Sequence, residues 1–320
     1  MSVNLDKPSR WKADIAASVD MYNHWFMEFA PVAFRTTRIQ TTKDVEAALE
    51  LTGQLTAVSS AMLLQHPEIL PALRMSTCPP LAVDRLIGLA RASPTLVKRI
   101  ELTQRLPARM SEADARNELE KVATVIKHLM DPDIFVWLKR KAPATKLEIH
   151  RAATIVADRL CGAVANPIIR NAQEKRQLAT IKAWLEQRGY QHLPAGVGTK
   201  FDAMPPGTFS FRMNVPITME GGVRSVNIPI DAVIKAKTAK AADFPVFFEA
   251  KSAGDFTNTN KRRKEEAIKI AQLRNTYGSD VSFNLFLCGY FDSGYLGYEA
   301  AEGIDWVWEH RVDDMALFGI

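Results

Sequence analysis

Cysteine is scarce in this chain of 320 residues: Cys78, Cys161 and Cys288 are far apart and odd in number. That pattern argues against a disulfide framework or a cysteine-based zinc site and leaves three buried thiols as the expectation. Histidine is scarce too. The six histidines form no His-x-x-x-His pair, and His24, between Asp20 and Glu28 in a helical stretch, reads as a surface ion-pair member. No apolar run approaches the roughly 20 residues of a membrane span. The opening Met1-Ser2-Val3-Asn4-Leu5-Asp6-Lys7-Pro8 lacks the apolar stretch of a secretory signal, so a cytoplasmic protein with no membrane partner is expected. Gly196-Val197-Gly198-Thr199-Lys200 lacks the full spacing of a phosphate-binding P-loop, and no ATP site follows from it. Neither sign of charge dominates: Lys and Arg exceed Asp and Glu by 41 to 36. That balance is compatible with a nucleic-acid partner without requiring one.

Hydrophobic residues make up 47% of the chain, enough for a large core in one elaborated domain or two. To about residue 165 the pattern is almost wholly helical, with Trp11, Ile15, Tyr22, Trp25, Phe26 and Phe29 on one face. Ser93-Pro94, Asp131-Pro132 and the capping box Thr145-Lys146-Leu147-Glu148 each announce a helix start. Asn166-Pro167 reads as a boundary between a helical domain, 1–165, and a second domain, 166–320. In the second, the pattern predicts a helix over 171–188, strands over 208–218, 225–236 and 244–251, a basic helix over 260–276 and an apolar strand over 281–290.

Two of those strands carry charges that need an explanation. Asn227-Ile228-Pro229-Ile230-Asp231 places an acid on an otherwise apolar strand, and Phe247-Phe248-Glu249-Ala250-Lys251 places Glu249 and Lys251 on one face, because residues two apart on a strand point the same way. Charges beside such runs are costly to bury unless paired or metal-bound. A phosphodiester is a poor electrophile surrounded by negative charge. Two carboxylates that hold Mg²⁺, with an ammonium beside them, supply the cations and the activated water that its hydrolysis needs. The competing reading is a surface salt bridge, but Glu249-Ala250-Lys251 is the single acid-x-Lys triplet in the chain. Asp243 and Asp255 stay open as rivals to Asp231.

The order helix, three strands, helix, strand, with an acid on the second strand and acid-x-Lys on the third, resembles the PD-(D/E)XK nuclease core, an α/β fold, over roughly residues 170–290. The family's first motif often reads Pro-Asp, whereas here Ile230 separates Pro229 from Asp231. Asp6-Lys7-Pro8, Trp11-Lys12-Ala13-Asp14-Ile15 and Glu249-Ala250-Lys251-Ser252-Ala253-Gly254-Asp255 further resemble the XamI family of type II restriction endonucleases. The resemblance implies Asp231 and Glu249 as metal ligands with the Ala250 carbonyl, Lys251 at the attacking hydroxide, and Mg²⁺ as cofactor. It also implies double-stranded DNA cut at a short palindrome, a homodimer, and a companion methyltransferase that protects the same site. GTCGAC is the sequence associated with the family's name. Some members of the fold class add an acid from the first core helix, for which Glu174 and then Glu186 are candidates, a solvated surface being the competing reading for both.

Asn258, Asn260, Lys261, Arg262 and Arg263 follow the third strand and open the basic helix, where Arg and Lys can neutralise phosphates and Arg and Asn can read base edges. Pairing of Lys261 and Lys264 with Glu265 and Glu266 along the helix is the rival account of that run. A repair or structure-selective nuclease of the same fold, and a non-catalytic DNA-binding protein on this scaffold, are the alternatives to a restriction enzyme. Trp306 and Trp308 read as core or dimer surface.

Overall fold

The computed structural model describes residues 2–194, 200–218, 225–240, 243–257 and 259–320, with the backbone alone for 259–262. Contacts group the chain into two compact units: Ala30–Ile169, and Met1–Phe29 together with Arg170–Ile320. The helices in chain order are α1 (Pro8–Leu51), α2 (Ser60–Gln65), α3 (Leu70–Met75), α4 (Val83–Ala90), α5 (Pro94–Thr103), α6 (Glu112–Leu129), α7 (Lys146–Gln187), α8 (Thr259–Tyr277) and α9 (Ser293–Ala301). The strands are β1 (Gln191–His192), β2 (Thr208–Thr218), β3 (Ser225–Lys235), β4 (Val246–Ala253), β5 (Phe283–Gly289) and β6 (Asp305–Trp308).

The Ala30–Ile169 unit is helical and closes over a core that includes Leu63, Leu86, Ile100, Leu119, Ile126 and Val156. Its helix starts follow the local chemistry. The Ser93 hydroxyl accepts from the Leu96 N–H ahead of Pro94, and Thr145 and Glu148 form a reciprocal capping box. Asp131-Pro132 starts no α-helix. The Asp131 carboxylate accepts from the Asp133 N–H in a turn and pairs with Arg159 at 3.2 Å, so the side chain that would have capped a helix is committed to tertiary contacts.

Asn166-Pro167, expected as a boundary, lies inside α7, which runs through Pro167 without ending, and the two units divide in that same helix between Ile169 and Arg170. Pro167 and Ala163, whose carbonyl loses its helical donor, are both exposed, so water can satisfy that carbonyl. α7 also carries an interrupted apolar window, long and apolar enough to cross a membrane by composition. Ala152, Ala153, Val156, Ala157 and Leu160 from this helix pack into the helical core.

Residues 1–29 belong with the C-terminal residues rather than with the helical unit, and the reason is polar as well as apolar. The Asp305 carboxylate accepts from the backbone N–H groups of Val3, Asn4 and Leu5 at 2.5, 2.8 and 3.1 Å. Arg311 pairs with Asp14 at 2.9 Å, and the Trp11 ring meets Trp306 edge-on at 5.5 Å. Trp306 and Trp308 are fully buried, as the core reading expects. Of the three cysteines, Cys161 and Cys288 are buried thiols but Cys78 is exposed.

Among the described residues the strands form one six-stranded sheet in the order β1 to β6. β3 runs antiparallel to its neighbours β2 and β4, while β4, β5 and β6 are parallel, with α8 and α9 as the connections. On one face the sheet packs Phe247, Leu285 and Leu287 against Ile270 and Leu273 of α8, Leu296 of α9 and Trp11 of α1. The other face packs Phe248, Phe286 and Ile234 against Leu178, Ile181, Trp184 and Leu185 of α7. Simple alternation fails in the β2–β3 hairpin. Ala232 and Ile234 join the α7 side, but Ile228 and Ile230, of the same parity, join the α8 side. Between them Phe211 faces Ala232 and Met213 faces Ile230, so Arg212, at φ +51°, falls opposite Asp231 without pairing to it. The hairpin changes sides at this irregularity, as strongly twisted strands do at a local break in the ladder.

Candidate functional site

Asp231 sits at that change of side, half-buried, and its Oδ2 accepts from the Ala250 N–H at 2.9 Å. The hydrogen bond ties β3 to β4 at the residue between Glu249 and Lys251. Burial pushes the Asp231 carboxyl up to about 6; the nearby charge of Glu249 adds to this, and the Ala250 N–H and Lys251 work against it. Asp231 and Glu249 are thus two carboxylates converging in a poorly solvated place.

Glu249 is 8% exposed and is held by two ammonium groups. Lys251 Nζ donates to its Oε1 at 3.2 Å, and Lys269 Nζ of α8 donates to its Oε2 at 2.7 Å and to the Pro229 carbonyl at 2.8 Å. Burial opposes charge on Lys251, but the carboxylates of Glu249, Glu266 and Asp231 outweigh it and hold the ammonium above its usual range. A cavity of about 300 Å³ opens over the cluster, lined by Arg170, Gln173, Glu174 and Gln177 of α7, by Asp231, by residues 249–252 of β4 and by Glu265. Gln177 ties α7 to the interior strands β4 and β5, its side-chain amide donating to the carbonyls of Lys251 at 3.2 Å and Phe286 at 3.0 Å.

The structure therefore brings Asp231, Glu249 and Lys251 together, and it separates their rivals from them. Asp243 accepts from the Lys240 N–H in an exposed turn, and Asp255 accepts from the Thr257 N–H; neither lines the cavity. Glu174 does line it, but pairs with Arg212 at 2.5 Å, while Glu186 pairs with Lys182 at 2.5 Å along α7, away from the cavity. His24 pairs with Glu28 at 3.5 Å on an exposed helix face.

Of the residues expected to meet nucleic acid, Asn258 lies outside the described residues, and Asn260, Lys261 and Arg262 fall at the start of α8. The Arg263 guanidinium stacks 3.5 Å from the centre of the Tyr298 ring. Among the described residues Glu266 pairs with no lysine of its own helix. It is 1% exposed and turned inward, with Oε1 3.6 Å from Lys251 Nζ and Oε2 accepting from the Tyr295 hydroxyl at 2.5 Å.

Glu266 and Lys269 were missed in the sequence, although a signal for them existed. Ile270 and Leu273 mark the buried face of α8, and residues 266 and 269 fall on that same face by helical spacing. Behind them, burial and the charge of Glu266 push Glu299 up to about 9, so that it is a neutral acid at physiological pH.

Hard oxygen donors are what this cluster offers. Among the described residues no three His, Cys, Asp or Glu side chains gather as a ready-made metal cage. Two carboxylates in mutual repulsion still suit a hydrated divalent cation, which takes one or two protein carboxylates and fills its remaining positions with water and phosphate oxygens.

Comparison with known proteins gives three findings. The model of a family described as XamI restriction endonuclease matches residues 53–308. The chain is 51% identical over 317 residues to the type II restriction enzyme SalI of Streptomyces albus G, covering 99% of each chain. A crystal structure of protein VC1899 from Vibrio cholerae aligns at 12% identity and a TM-score of 0.30, over 90% of this chain and 55% of that one, too low a score to carry an argument.

Proposed function

We propose, for a chain that belongs to the XamI restriction endonuclease family, that it is a type II enzyme hydrolysing double-stranded DNA at a short palindrome, with Asp231, Glu249 and Lys251 as its centre on a PD-(D/E)XK core. The observation that carries this reading is the convergence of Asp231, Glu249 and Lys251 at one lined cavity. Asp231, Glu249 and the Ala250 carbonyl would hold Mg²⁺, which supplies charge neutralisation and a water acidic enough to ionise near neutral pH. Lys251 orients the attacking oxygen and offsets charge as the phosphate becomes pentacovalent. Arg170, which lines the cavity with no carboxylate partner among the described residues, is placed to meet a phosphate.

The reaction needs no ATP, because the cluster acts on a bond that water cleaves downhill. A homodimer matches two-fold symmetry to a palindrome and cuts one strand with each subunit. The helical unit serves as dimer surface or DNA clamp, the protein works in the cytoplasm, and a methyltransferase protects the same sequence.

Plasmid DNA incubated with the protein and Mg²⁺ tests the reading. Discrete fragments are expected, with GTCGAC the first sequence to compare with the mapped ends. Smearing or junction-selective cutting would favour a repair-type nuclease, and binding without cutting would favour a non-catalytic protein.

Asn258, Asn260, Lys261, Arg262 and Arg263 contact the DNA in this reading. Replacing Lys261 or Arg262 by Ala is expected to weaken binding and to lower the slope of log affinity against log salt by about 0.9 for each lost phosphate contact. An unchanged slope and affinity, measured by fluorescence anisotropy, would remove that residue from the interface.

A further inference from the structure

We infer that Glu266, on α8, is a positioning residue that holds the Lys251 ammonium in place independently of Glu249. The inference rests on the assignment of Lys251 to the reaction centre, and it goes beyond that assignment to a residue outside the acid-x-Lys motif.

Lys251 has two carboxylates within reach, Glu249 at 3.2 Å and Glu266 at 3.6 Å. They are not equivalent. Both oxygens of Glu249 already accept from ammonium groups, Oε1 from Lys251 and Oε2 from Lys269. When Glu249 turns an oxygen to a cation, the ammonium on that oxygen needs another acceptor. Lys269 already has one in the Pro229 carbonyl, and for Lys251 the corresponding group is Glu266.

Glu266 is built for that task. At 1% exposure it cannot swing into solvent, and the Tyr295 hydroxyl, from the first turn of α9, fixes its other oxygen at 2.5 Å. The neighbouring carboxyl that faces it, Glu299, is itself buried and is pushed up to about 9, so it meets Glu266 as a neutral acid and not as a second negative charge. A buried carboxylate fixed on one side by a phenol, with its other oxygen turned to a lysine, sets the position of that lysine. The effect on the reaction passes through Lys251, because Glu266 does not line the cavity over Asp231.

The test separates chemistry from binding. Single-turnover cleavage of a duplex containing the mapped site is measured with Mg²⁺, and the affinity for the same duplex is measured with Ca²⁺ in its place. Glu266→Gln keeps the shape and the acceptor for Tyr295 but removes the charge. It is expected to slow cleavage about 10- to 100-fold while leaving DNA affinity within about twofold of the wild type, a difference smaller than one hydrogen bond. Tyr295→Phe removes only the hydroxyl and is expected to slow cleavage about fivefold; it decides the matter if Glu266→Gln loses its cooperative melt. Wild-type rates in the folded variants, or equal losses of rate and affinity, overturn the inference. Lys251→Ala run in parallel keeps the two readings apart. If it still cuts, the centre itself is misassigned; if it is inactive while Glu266→Gln and Tyr295→Phe cut normally, only the role of Glu266 falls.

Discussion

Asp231→Asn is expected to abolish cleavage and to make the metal-free protein more stable. The first half follows from the loss of a negative ligand: an amide oxygen binds a hard divalent cation far more weakly than a carboxylate, and a fall in rate of about 10³-fold or more is the expected scale. The second half follows from the carboxyl's own titration. In the folded protein burial and Glu249 raise it to about 6 from the ordinary 3.8. Between those two values the folded state holds a proton that the unfolded state has released, so stability falls as pH rises through that window and stays low above it. A shift of about two units corresponds to a penalty on the order of 3 kcal/mol at pH 7–8. Asn pays no such penalty and can still accept from the Ala250 N–H.

Thermal melts without divalent cation should therefore place Asp231→Asn above the wild type at pH 8, with the gap closing as pH falls toward 4. Adding Mg²⁺ should raise the wild-type midpoint by mass action and leave the variant nearly unmoved. A variant that melts below the wild type at pH 8, or cuts at a near-normal rate, would remove Asp231 from the centre.

Lys251→Met is the contrasting case. Cleavage should fall by about 10²- to 10³-fold, the scale for removing one preorganised charge that stabilises the transition state. Stability should fall too. Methionine replaces the apolar stem, but Glu266 loses its cation while remaining buried, and removing one partner of a buried pair costs about 3–5 kcal/mol. Glu249 is less affected, since Lys269 still holds its Oε2. Two substitutions in one small cluster thus share a kinetic outcome and oppose each other in stability, one removing an unpaired charge and the other creating one. Parallel denaturant titrations at pH 8 measure both signs; a Lys251→Met protein as stable as the wild type would mean that Glu266 is satisfied by something other than Lys251.

The chain's local patterns were legible where local physics decides. The alternation of apolar residues marks β2, β3 and β4 to within a few residues of their observed ends, and Ser93 and Thr145 cap helices where their side chains reach the first free N–H groups. Glu249 and Lys251 share a face because a strand repeats every two residues. The same reasoning failed where a neighbour decides. Asp131 has the chemistry of a cap but is drawn to Arg159, and Pro167, which reads as a breaker, is tolerated on an exposed face of α7. The alternation through β3 also misleads, because the hairpin changes sides at Arg212 and Asp231, a twist that no single strand's pattern records.

The sequence by itself determined the charged trio, the order of elements around it and the family resemblance, since each is written in short-range spacing and residue chemistry. Tertiary structure alone decided what surrounds the trio. Lys269 and Glu266 reach Glu249 and Lys251 because α8 packs its Ile270 and Leu273 face on the sheet, and Tyr295 arrives from α9. Residues 1–29 join the unit that holds the trio because Asp305 and Arg311, some three hundred positions away, supply their partners. Charge pairs of that separation leave no periodic trace in a chain, because the energy that selects them exists only after the core has brought the elements together.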